Sequence, residues 1–111
     1  MPDFQQSLQD IQNVPYAATI DVSPDQGEWV IVGTLTGNIT INSSLGAQPG
    51  KRLKIDTTQD GVGGRTITLG AAGNPFQAGA FTPNTAANKR NILVVQFDGT
   101  SYVMHTQAVG L

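Results

Sequence analysis

Apolar and polar residues alternate along most of this chain with a period of two, the repeat of a strand that buries one face. Tyr16, Ala18, Ile20 and Val22 alternate with Ala17, Thr19 and Asp21. A second run covers 28–36, with Trp29, Ile31 and Leu35 on one parity and Val30 and Val32 on the other. Gly33 interrupts it and marks a bulge or a close backbone approach. Ile39-Thr40-Ile41 alternates again, and in 51–57 Leu53 and Ile55 alternate with Arg52, Lys54 and Asp56. That charged outward face would blunt an exposed edge. Ile67 and Leu69 continue one face after a glycine-rich turn. The stretch 92–97 is the most apolar and reads as a central strand; Asp98-Gly99 then turns it into 102–106, the clearest hairpin in the chain. Turn signals at Ser23-Pro24-Asp25-Gln26-Gly27, at Gly37-Asn38 and through 42–50 separate these runs. About seven short strands at this spacing predict an all-β fold, an antiparallel β-sandwich or barrel-like module.

Two segments break the alternation. Phe4, Leu8 and Ile11 fall at i, i+4 and i+7, one face of a helix, with Asp3 and Gln6 as a variant capping box and Pro15 as a stop. So short a helix is marginal alone. Residues 1–15 are therefore expected to form an arm, helical or extended, that docks on a neighbour, and 16–111 the β domain. The stretch 70–91 is a long irregular loop carrying Phe76 and Phe81 as anchors.

With 111 residues the chain is one domain by length, and its core is modest. A thin core favours help from neighbouring chains. There are no cysteines, so disulfides and thiolate zinc sites are excluded. No apolar run approaches the ~20 residues of a membrane span. The N-terminus lacks the basic and apolar regions of a signal peptide, so synthesis and folding in a cytoplasm are expected. The net charge of −2 argues against nucleic-acid binding. Its distribution is uneven: Asp3, Asp10, Asp21, Asp25 and Glu28 precede every basic residue, and Lys51, Arg52, Lys54, Arg65, Lys89 and Arg90 follow. Acidic front and basic middle are suited to attract each other within or between subunits.

Between 51–57 and 65–69 lies Thr57-Thr58-Gln59-Asp60-Gly61-Val62-Gly63-Gly64-Arg65-Thr66. Its glycines supply the positive φ of a tight reversal, from which Arg65 starts the returning strand. Gln-Asp-Gly-x-Gly-x-Arg-Thr between two strands, with the later Asp98-Gly99 hairpin, resembles a module of tailed-bacteriophage virion proteins, chiefly tail fibres and small capsid-bound proteins. The resemblance runs from about Asn38 to Met104. It departs at Leu69, where an aromatic often closes the second strand, and at Tyr102, where a Trp often follows the late turn.

Candidate chemistry is sparse. His105 is the only histidine, placed as a packed or surface residue. No serine sits in a Gly-x-Ser-x-Gly elbow. The glycine-rich turn lacks the Lys and following helix of a phosphate loop. Asp56 and Asp60 lack the further carboxylates of a calcium loop, and read as strand and turn residues rather than a glycosidase pair. The chain is expected to be no enzyme, with no cofactor and no metal.

The resemblance implies a virion protein. The first expectation is a capsid decoration (cement) protein, a homotrimer on the outer head surface that binds the major capsid protein and neither nucleic acid nor membrane. A Met-initiated chain of this size reads as complete, which suits that role. Phe4, Leu8 and Ile11 would anchor the arm, and Lys51, Arg52, Lys54 and Arg65 would meet acidic patches on the partner. The alternative is a tail-fibre, spike or baseplate module that binds a host surface glycan through the 70–91 loop and an exposed Trp29 or Tyr102.

Overall fold

The computed structural model describes residues 11–22, 28–43, 49–70 and 81–111. Within them the alternating runs become eight strands: β1 (Ile11–Val14), β2 (Thr19–Asp21), β3 (Trp29–Val32), β4 (Ile39–Asn42), β5 (Arg52–Thr58), β6 (Ile67–Leu69), β7 (Arg90–Phe97) and β8 (Tyr102–Ala108). They form a five-stranded sheet in the order β1-β3-β5-β7-β8 and a three-stranded sheet in the order β2-β4-β6. The all-β, sandwich-like expectation holds, without a closed barrel.

The pairing differs from the expectation of an antiparallel module. Up to β6 the chain alternates between the two sheets, so each circuit lays one new strand beside its predecessor in each sheet. Strands laid down in this way run parallel: β1 with β3, β3 with β5, β2 with β4, and β4 with β6. A parallel pair needs a crossover connection, and here a strand of the opposite sheet supplies it in place of a helix. The result is a short coil of stacked rungs whose apolar faces are buried together with those of the two last strands. The last two strands are antiparallel, β5 with β7 and β7 with β8. The hairpin at Asp98-Gly99 is as expected.

The core lies between the sheets. Ile20, Val22, Ile39 and Ile41 from the smaller sheet meet Val30, Val32, Leu53, Ile55, Leu93, Val95, Phe97 and Tyr102 from the larger one in a single cluster. The register stacks like on like: Ile20 beside Ile41, and Ile41 beside Leu69. Leu35 joins this cluster although Trp29 and Ile31 of the same parity face outward. The strand ends at Val32, and Gly33 resets the phase. A Cβ at Gly33 would lie 3.1 Å from the Tyr16 amide nitrogen, so the expected close backbone approach is the one found.

Ile11, expected on a helical face, opens β1 and pairs with Trp29. Backbone bonding to an existing strand edge outweighs a three-residue apolar stripe. Residues 1–10, including Phe4 and Leu8, lie outside the described residues, as does Phe76. Phe81 packs against the core.

Candidate functional site

The turn between β5 and β6 shows why its sequence is so particular. The Gln59 side chain imitates a backbone partner: its Nε2 donates to the Arg65 carbonyl and its Oε1 accepts from the Arg65 amide, both at 3.0 Å. Asp60 Oδ1 accepts from the amides of Val62 and Gly63 at 3.2 and 3.0 Å. Arg65 closes the ring with its Nε 3.3 Å from Oδ1 and its terminal nitrogen 2.8 Å from Oδ2. The guanidinium bond, followed by the amide of Gly63, holds the Asp60 carboxyl at about 2, below its ordinary 3.8. Gly63 and Gly64 both have φ of 76°. A Cβ at Gly63 would stand 2.7 Å from the Ala87 nitrogen and the Thr85 oxygen, so only glycine lets the two loops touch. This turn is a stapled corner between the sheets rather than the hairpin expected, because β5 and β6 belong to different sheets.

A second polar assembly fixes the end of the molecule. Asn91, fully buried, accepts from the amides of Asn84 and Gly110 and donates to the Asn84 carbonyl. Arg90 and Leu111 exchange both backbone bonds alongside. Asp56, only 4 % exposed, is forked by Arg90, with Nε 2.9 Å from Oδ1. Asp56 and Asp60 are thus spent on separate arginines.

The two outer faces differ in chemistry. On the smaller sheet Thr19, Thr40 and Thr68 stand in register across three strands, and Asp21 pairs with Asn42. That is a hydroxyl and amide surface suited to water. The larger sheet presents Ile11, Trp29, Lys54, Val94 and Thr106 in one row and Asn13, Ile31, Asp56, Ile92 and Ala108 in the next. Trp29, Ile31, Ile92 and Val94 are half-buried, and Ile11 is 42 % exposed. A row further on Arg52, Gln96 and Val103 continue this face. The Lys54 ammonium lies 4.0 Å from the Trp29 ring centroid, a cation–π contact. The Trp29 Nε1–H is buried without a hydrogen-bond partner among the described residues. A groove of about 240 Å³ adjoins, lined by Asn13, Val14, Pro15, Ile31, Val32 and Gly33. An outward face that combines a ring, aliphatic side chains and cations on its middle strand marks a place for contact.

The sequence-derived candidates divide between these places. Ile11 and Lys54 flank Trp29 in one row, with Arg52 beside them; Lys51 precedes β5. Arg65 stands apart, tied to Asp60 in the corner. The charges of β5 do not guard an edge, since β3 and β7 cover both its sides. Tyr102, expected as an exposed sugar platform, is 1 % exposed and 3.1 Å from Ser43 Oγ through its hydroxyl. It follows the hairpin on the inward parity, against Phe97. His105 lies on the exposed part of β8, at the bulge that shifts register between Val94 and Val95. What sequence reasoning missed is the Trp29–Lys54 pairing, whose partners meet only through parallel register.

Residues 21–102 match the family described as "Putative phage tail fibre C-terminal domain". The chain belongs to this family. It is therefore a bacteriophage structural protein and a virion component. The matched span of this phage tail fibre domain begins within β2 and ends at the start of β8, taking in both sheets, the stapled corner and Trp29. No curated protein and no solved structure gives a match. Membership of a tail fibre family gives no support to the capsid-decoration reading or to the outer capsid surface, and favours the tail-fibre alternative.

Proposed function

We propose that this chain is a tail-fibre domain that contacts a host surface glycan and works as a homo-oligomer, a homotrimer being the expected order. The observation that carries the reading is the tail fibre family match across 21–102. The larger sheet supports it, because an aromatic and apolar face with cations on its middle strand is set on a rigid scaffold, where recognition residues hold their geometry. The role is binding rather than turnover, with no cofactor. The partners are copies of the chain and the host surface.

The reading is tested on virions and cells together. Gold-labelled antibody against the chain is expected to mark the tail, and excess purified chain to reduce adsorption of phage to its host. Label spread over the heads, together with adsorption that the free chain does not affect, would return the decoration reading to first place.

A further inference from the structure

The outer face of the larger sheet carries more chemical detail than a general contact surface. Trp29 offers a flat ring, the surface on which the apolar face of a pyranose stacks. Its N–H is desolvated and unpaired among the described residues, a cost that a protein seldom leaves uncompensated. Lys54 rests its ammonium over that ring and has no ion pair among the described residues. Arg52 is exposed on the same face, two residues back along β5, and is likewise without an ion pair. The backbones of the two residues are therefore roughly 6.8 Å apart along one strand. By contrast, Arg65 in the corner and Arg90, further along this same face, are each neutralised by an aspartate.

Resting on the proposed tail-fibre role, we infer that this face binds a carboxylated polysaccharide, with Trp29 as the stacking platform and Arg52 and Lys54 as the carboxylate partners. Lys54 leaves the indole for a carboxylate, which uncovers the ring face for the sugar. Lys54 is held over the ring while Arg52 stands one row away, which suits single negative charges on separate sugars. One phosphate dianion would instead call for donors converging on a point. Among the described residues the outer face of the smaller sheet carries neither ring nor cation, so the binding is one-sided.

Trp29 is the only tryptophan, so its emission reports on this face alone. The purified full chain is titrated with polygalacturonate, with neutral dextran, and with a glycerol-phosphate teichoic acid. A saturable emission change is expected with polygalacturonate, weakened by added salt, and none with dextran. Replacing both cations (Arg52→Gln with Lys54→Gln) is expected to weaken binding by about tenfold or more, with the far-ultraviolet circular dichroism unchanged. Arg52→Gln alone, at an exposed position, gives a smaller loss in the same direction. No response to polygalacturonate, an equal response to dextran, teichoic acid binding as tightly, or undiminished binding by the variants would each overturn the inference. If polygalacturonate fails while the free chain still blocks adsorption, this inference falls and the tail-fibre reading stands.

Discussion

Single residues decide the corner. The Asp60 carboxyl sits at about 2 in the folded chain against an ordinary 3.8. A carboxyl whose folded value is depressed adds stability above its unfolded value and loses it as pH falls through the folded one. The melting temperature is therefore expected to drop between about pH 4 and about pH 2, and to drop less steeply in Asp60→Asn. Melts of both proteins by circular dichroism across that window check this; parallel pH profiles would remove Asp60 from the account. The neighbouring glycines provide an internal control. Gly63→Ala combines a left-handed backbone with contacts at 2.7 Å to two backbone atoms, and is expected to cost about 2–4 kcal/mol. Gly64 shares the φ of 76° but has nothing within 4 Å among the described residues, so Gly64→Ala should cost only about 1 kcal/mol. Chemical denaturation measures both, and equal losses would show that backbone strain alone matters.

At the scale of elements, strand ends are joined by buried side-chain amides. Asn91 at the start of β7 ties the loop at Asn84 to the C-terminal Gly110. Asn91→Ala leaves three backbone groups without their partner and is expected to cost about 2–4 kcal/mol. Hydrogen exchange should then accelerate first at Asn84, Gly110 and Leu111, ahead of the β5–β7 ladder. Uniform acceleration would mean that Asn91 supports the whole core rather than this junction. Sequence reasoning found β7 and β8 because Asp98-Gly99 is a local signal: Asp98 Oδ1 accepts from the amides of Thr100 and Ser101 at 2.8 and 2.9 Å. It found Gly63 as a turn residue and Gly33 as a close approach. It missed that Gln59 and Arg65 make a corner, because a hairpin and a corner use the same positive-φ glycines and differ only in where the next strand goes. Asn91 gave no signal, since a buried amide and a surface amide read alike in a sequence.

For the whole molecule, the shared core is the constraint. Among the described residues, Ile20, Val22, Ile39 and Ile41 share one core cluster with the inner face of the larger sheet, so the two sheets bury their inner faces together. Unfolding is expected to be a single transition, with Trp29 emission on the larger sheet coinciding with the far-ultraviolet signal of both. Two separated transitions would show that the sheets are independently stable. The outer faces are released from this constraint. One is a field of threonines; the other gathers Ile11, Trp29 and Lys54, which three different strands supply.

Period-two alternation was enough to establish that the chain is all-β, which residues turn inward on most strands, and where the last hairpin lies. These depend on residues a few positions apart, whose side chains and turns act locally. Packing in three dimensions was needed to settle that β1 to β6 pair in parallel, that Tyr102 is spent inside, and that Trp29 lies beside Lys54. Parallel neighbours are joined through the opposite sheet and no turn motif announces them, so their register follows from fitting two apolar faces together at once.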